Sequence, residues 1–244
     1  MLTVIIAHSD RRSQYGYAAV VVNEGAARML LRKADVVDGA LTLLDAEGLD
    51  ALTTRKLGVV LGVQSGALYR HYPTKQALLD AMAERILEGV SLDLPDGPWD
   101  EQATVLLHRV RVALLAHRDG ARVVAGTYVT EPNTVLVGNT AIDLLKRAGL
   151  PPEQAGWAAV AVNHYVLGHT IEEQARAELV DRGAWPPKMD AASELSDEIA
   201  ASTFNADPAE RFAYGLRLLL NGIRHELQAL RAATPRTSRR TSRA

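Results

Sequence analysis

Cysteine is absent from this chain of 244 residues. That excludes disulfides and thiolate metal sites and fits a reducing cytoplasm. No apolar run is long enough to span a bilayer, and Val4-Ile5-Ile6-Ala7 is too short for the hydrophobic region of a signal peptide. Charge of one sign is also lacking: the formal net charge is −2, so the molecule is no general binder of polyanions. Any contact with nucleic acid must come from locally placed cations and helix N-termini. No nucleophile–base pairing, Gly-rich phosphate loop or H-E-x-x-H pattern is present, which weakens every enzymatic reading. What the chain does have is apolar material, 48% of its residues, enough for a substantial core in one large domain or two small ones.

The most informative stretch runs from Leu52 to Lys75. Thr53 or Thr54 is a good N-cap, and Leu57, Val60 and Leu61 follow at helical spacing. Gly62 stands where a helix end needs positive φ, and Val63 returns to the core. A second helix is predicted from Ser65 to Tyr72, anchored by Leu68 and stopped by Pro73. Two short helices across a tight turn form a helix-turn-helix, whose second helix enters the major groove.

This stretch resembles the DNA-binding head of the tetracycline-repressor (TetR) family. The likeness rests on Thr54-Arg55-Lys56-Leu57, Leu61-Gly62-Val63, Gly66-Ala67-Leu68-Tyr69-Arg70-His71-Tyr72 and Lys75. It implies DNA contacts at Thr54, Arg55, Ser65, Gly66, Ala67, Tyr69, His71 and Lys75. Their chemistry suits the task. Thr54 can offer a hydroxyl to phosphate, Arg55 can grip a guanine edge with two bonds, Ser65 can bond to a base, and Ala67 can touch a thymine methyl. Tyr69, His71 and Lys75 are expected on phosphates, with core packing as the alternative for Tyr69, and Tyr72 is expected mainly in the core. Gly66 costs about 1 kcal/mol of helix stability against alanine, which makes sense where backbone must come close to DNA.

The remaining sequence reads as helical throughout. A first helix is expected at 33–47, with Val36, Val37, Ala40, Leu41, Leu43 and Leu44 inward and Gly48 as its stop. Thr74 caps a helix to about Val90 that turns Leu78, Leu79, Met82, Ile86 and Leu87 inward. Further helices are expected at 101–116, 134–148, 153–179 and 208–230, with a short one near 193–201. The expected organisation is all-α. An N-terminal extension (1–30) precedes a three-helix helix-turn-helix head within 31–90. A larger ligand-binding and dimerisation domain (91–231) and a basic tail (232–244) follow. Three readings stay open for the extension: an arm reaching the minor groove through Arg11 and Arg12, a disordered tail, or sequence upstream of a start at Met29. One of the last two is expected.

The resemblance continues behind the head. Ala116-His117-Arg118-Asp119-Gly120-Ala121-Arg122-Val123, Gly126-Thr127 and Gly168, Glu172, Glu173, Gln174 are similar to the tetracycline-sensing members of the family. In those members the drug enters as a magnesium chelate held by a histidine, with a threonine and the partner's glutamate acting through water. Thr127 and Glu172 fall on the last two positions, but Val124 falls on the histidine and cannot bind metal. The resemblance implies ligand contacts at Val124, Thr127, Tyr128, Val129 and Glu172; His164, as a polar anchor, completes the expected ligand-binding set, with no metal and no cofactor expected. His169 beside Glu172 or Glu173, a turn from His164, reads as pocket-lining or solvated polarity rather than a metal site. His117 and Asp119 read as helix-capping residues in a turn. The resemblance implies a homodimeric transcriptional repressor that binds a palindromic double-stranded operator and is released by a small-molecule inducer. A ligand-independent DNA-binding protein and a helical metal-dependent enzyme are the alternatives.

Overall fold

Residues 31–127, 132–185 and 206–233 are described by the computed structural model, and the regular structure among them is entirely helical. Helix α1 (Lys33–Glu47) opens with a reciprocal cap: Arg32 N donates to Asp35 Oδ2 at 2.9 Å. Val36, Val37, Ala40, Leu41, Leu43 and Leu44 are all buried, as their periodicity predicts. Gly48 then turns the chain at φ 82°, its N–H returning to Leu44 O at 2.8 Å. A short 3₁₀ turn (Leu49–Ala51) leads to α2 (Thr54–Val60), capped by Thr53, whose hydroxyl accepts from Lys56 N at 3.3 Å.

Gly62 adopts φ 65° between α2 and α3 (Ser65–Leu68). Two expectations need correction here. The second helix of the pair holds α-helical form only to Leu68, and the chain continues to Tyr72 as turns, with the N–H groups of His71 and Tyr72 both reaching Leu68 O. Pro73 already disfavours helix at the residue before it, so one turn is what remains. Val60, expected inward, is 47% exposed. Leu57 and Gly58 are the buried residues of α2, and Leu61 fills the space above Gly39, where a Cβ would approach Leu61 Cδ2 to 2.6 Å.

Helix α4 (Lys75–Glu88) starts at Thr74, whose hydroxyl accepts from Ala77 N at 3.0 Å. It buries Leu78, Met82, Ile86 and Leu87, while Leu79 is half-buried. Behind it come α5 (Trp99–Leu115), α6 (Gly120–Ala125), α7 (Pro132–Ala148), α8 (Pro152–Asp181) and α9 (Pro208–Ala233). Helix α6 has no counterpart in the periodicity, because six residues give too few turns to show a stripe. The helix expected at 193–201 lies outside the described residues. Fully buried Leu106 and Leu114 on α5, Leu144 on α7, Val166 on α8 and Phe212 and Leu216 on α9 form the larger core. Each such side chain contributes about 1.5–3 kcal/mol by leaving water.

The described residues from Arg32 onward pack as one compact unit. Polar contacts join its parts. Arg85 bonds Asp38 at 2.7 Å, tying α4 to α1. Asp119, at φ 55°, is the non-glycine residue in left-handed backbone among the described residues, and its carboxylate accepts from Leu49 N at 2.8 Å. It caps a helix as expected, but the capped turn is the 3₁₀ segment far away in sequence, not the helix that follows it. His117 meets Asp45 at 3.0 Å, and Arg122 bridges Asp50 and Asp119. Gly120 is pinned in this joint, where a Cβ would stand 2.3 Å from Leu114 O.

Candidate DNA-reading face and ligand cavity

Thr54, Ser65 and Lys75 each occupy the first position of a helix. The N-termini of α2 and α4 lie side by side, since Thr53, Thr54, Tyr72, Thr74 and Lys75 rim one small crevice floored by Val36, Leu57, Leu68 and Leu78. Buried Leu68 holds α3 against this floor. Arg55, Gly66, Tyr69 and Lys75 are exposed, and Thr54, Ser65, Ala67 and His71 are half-buried. Tyr69 is 51% exposed, so core packing does not account for it. Tyr72 is half-buried, with its hydroxyl donating to Lys33 O at 3.4 Å and its ring beneath the Lys33 ammonium.

Among the described residues Arg55 and Lys75 form no ion pair, whereas neighbouring Lys56 is engaged by Glu47. Arg70, which sequence reasoning passed over, is exposed and likewise without an ion pair among those residues. Its signal was a cation directly after the short recognition helix. A Cβ at Gly66 would meet nothing within 4 Å, so the chain's own packing does not require glycine there. Near this face Arg32 holds the Asp35 carboxyl below its usual range by hydrogen bonds and charge.

A second feature is a cavity of about 430 Å³ enclosed by the end of α4 and by α5, α6, α7 and α8. Leu87 comes from α4, Leu106, Leu107 and Val110 from α5, and Val124 and Ala125 from α6. Thr134, Val137, Gly138, Ala141 and Ile142 line it from α7, and Ala159, Val160, Asn163, His164 and Leu167 from α8. The α7 and α8 sets repeat at three and four residues, a signal that could have found the wall, though sequence reasoning named only His164 from it. Of the implied ligand residues, Val124, Thr127 and His164 line the cavity. Glu172 is exposed on α8 and does not line it within a single chain. Tyr128 and Val129 lie outside the described residues. Among the described lining residues His164, Asn163, Thr127 and Thr134 carry donor atoms, but Val124 offers none at the position where the resemblance puts the metal-binding histidine, so the arrangement implied for a chelated magnesium is not reproduced there.

The cavity is wired to α4. Glu84 caps α7, accepting from Asn133 N at 2.7 Å, Thr134 N at 3.2 Å and Thr134 Oγ1 at 3.4 Å. Gln76 donates to Gly126 O at 3.3 Å, just past the end of α6. On the far side of the core, Arg111 and Glu173 form a buried two-bond pair at 2.9 and 2.6 Å. Fully buried Phe212 meets His108 and His169 edge-on and stacks on Tyr165. Burial, aided by Arg111, pushes the pKa of both histidines down, and Glu173 opposes this at His169. His169 therefore belongs to a packed core rather than to a metal site.

Residues 36–82 match the bacterial regulatory proteins of the tetR family, and residues 93–227 match the tetracyclin repressor-like C-terminal domain. The chain belongs to the TetR family. It is 35% identical over 196 residues to the class E tetracycline repressor protein of Escherichia coli, covering 79% of this chain and 90% of that one. A TetR variant from Acinetobacter baumannii AYE in complex with minocycline superposes with a TM-score of 0.61 at 39% identity, covering 80% and 97% of the two chains. BioQ with its double-stranded DNA operator superposes at 0.62 and 31% identity, covering 79% and 98%. Members of the TetR family are DNA-binding transcription regulators, and that coarse assignment holds for this chain.

Proposed function

We propose that this protein is a homodimeric repressor that holds a near-palindromic operator through two helix-turn-helix heads and releases it when a small molecule enters the α4–α8 cavity. The observation that carries the reading is the path of α4: its first residue, Lys75, belongs to the exposed cationic face, and Leu87 near its end lines the cavity. Residues 31–90 serve DNA binding, and 91–231 serve ligand binding and pairing. Arg55 reads a guanine, Ser65, Gly66 and Ala67 approach base edges, and Thr54, Tyr69, His71 and Lys75 hold phosphates. We place the protein with its DNA target, in the cytoplasm.

Pairing is supported by apolar side chains left in water. Trp157 and Val160 on α8 are 64% and 53% exposed, and Tyr214 and Leu218 on α9 are 56% and 53% exposed. Spacings of three and four gather each pair on one helix face, the pattern of an interface between copies. The test is a gel-shift and footprinting survey of the DNA beside the protein's own gene, with dimer mass measured in parallel. A symmetric footprint that disappears on adding a compound bound by the protein supports the reading. A monomer that binds every duplex equally removes it.

A further inference from the structure

We infer that the cavity takes an uncharged, largely apolar molecule carrying one or two hydrogen-bonding oxygens, seated with its polar end at Asn163 and His164. This deepens the sensing assignment and rests on it. Among the described residues no charged side chain lines the cavity. A carboxylate or ammonium inside would lose water and meet no counter-ion among the described residues of the chain, and binding would carry that loss. A neutral molecule with apolar surface loses nothing comparable and gains from every aliphatic wall.

The polar groups further restrict the ligand. Thr134 Oγ1 donates to Glu84 and Thr127 Oγ1 donates to Val124 O at 2.9 Å. Both hydroxyl protons are spent, leaving acceptor lone pairs that match a ligand hydroxyl and repel a ligand carboxylate. The side chains of Asn163 and His164 make no hydrogen bond among the described residues, and both residues are exposed where α8 lines the cavity. The amide can both donate and accept, so a carbonyl or hydroxyl is satisfied there. The walls deeper in, Leu106, Leu107 and Val110, carry no polar side chain.

Three fluorescent probes of one shape separate charge from size: 1-pyrenemethanol, 1-pyrenecarboxylate and 1-pyrenemethylammonium. Each is titrated into the full-length protein at pH 8 and followed by pyrene anisotropy. The alcohol should bind at least tenfold more tightly than either ion. Ala141→Trp, which fills the cavity from α7, should weaken the alcohol at least tenfold. Should that variant melt early, Gly138→Leu serves instead, because a Cβ at Gly138 meets nothing within 4 Å. Equal or tighter binding of an ion, no binding of the alcohol, or binding indifferent to the filled cavity overturns the inference. Operator release is read separately. Release by a charged compound alone rejects the neutral ligand and keeps the sensor, whereas alcohol bound in the cavity with operator still held does the reverse.

Discussion

Breaking the Arg111–Glu173 pair should cost more than any exposed ion pair in the molecule. The two side chains are 9% and 14% exposed and share two bonds, and the guanidinium centre lies 5.1 Å from the Phe212 ring centroid. Arg111 thus joins α5 to α8 and α9. Arg111→Met strands a buried carboxylate, a loss of about 3–5 kcal/mol, while replacing both partners with apolar residues of similar volume is often neutral. The double variant Arg111→Met with Glu173→Leu should therefore be more stable than Arg111→Met alone.

The stranded carboxylate has one nearby remedy, His169, whose Nδ1 lies 3.8 Å from Glu173 Oε2. In the native protein burial lowers the pKa of His169, Glu173 opposes this, and the repulsion of Arg111 and Arg211 adds to it. With its folded pKa below the unfolded value of about 6.5, His169 supplies stability that is complete above that value and is lost as pH falls toward the folded one. Removing Arg111 lifts one repulsion and leaves Glu173 to draw the proton on. The deficit of Arg111→Met should therefore shrink between pH 8 and pH 5.5. Urea unfolding by circular dichroism at fixed protein concentration measures it. A deficit below about 1 kcal/mol, strictly additive single effects, or a deficit that grows on acidification would refute the reasoning.

Arg55→Ala should relax base preference at one position per half-site, at about 1–3 kcal/mol per lost contact, whereas Lys75→Ala should weaken all sequences alike and flatten the salt dependence. Both are read by gel shift on operator and scrambled duplexes. Gly66→Ala has open space for its methyl and should raise thermal stability by up to about 1 kcal/mol, yet weaken operator binding if DNA backbone approaches there. Glu84→Ala uncaps α7 and should cost about 1–2 kcal/mol in urea unfolding, part of which Glu84→Gln recovers. Magnesium with tetracycline should leave the operator complex intact in a release titration, because Val124 offers no ligand to the metal; EDTA-sensitive release would show otherwise.

The sequence exposed the head through features that act locally. Thr53 and Thr74 cap the helices they precede, Gly48 and Gly62 take positive φ, and the α1 stripe is buried to the last residue. Val60 misled because a seven-residue helix packs through Leu57 and Gly58, so its apolar pattern overstates what it buries. The cavity was half legible: Val124 and Thr127 came from resemblance and His164 from its place a turn before His169, while Thr134 and Asn163 emerge only when α7 and α8 face each other. The joint between head and body was hidden for a different reason. Asp119 and Leu49 are seventy residues apart, and no local pattern links a carboxylate to a distant free N–H. The same holds for Glu84 and the start of α7.

On the proposed function, those two long-range caps are the contacts through which a ligand would be felt at the DNA. Helix α4 has 14 residues, about 21 Å at 1.5 Å each, and its residues touch three things at once. Lys75 stands on the exposed face, Gln76 and Glu84 grip the end of α6 and the start of α7, and Leu87 lines the cavity. A ligand that pushes α7 away from α4 must stretch the Glu84 cap or carry α4 with it. Carrying α4 shifts Lys75 and, through Arg85 and Asp38, disturbs the contact with α1. Occupancy alone does nothing, because a ligand bound equally in both arrangements shifts neither. Loosening the cap separates wall from lever: Glu84→Ala should bind 1-pyrenemethanol about as well as the native protein does, while the effect of a bound ligand on operator affinity falls. If coupling survives the loss of Glu84 undiminished, it runs instead through Asp119 and the 3₁₀ turn.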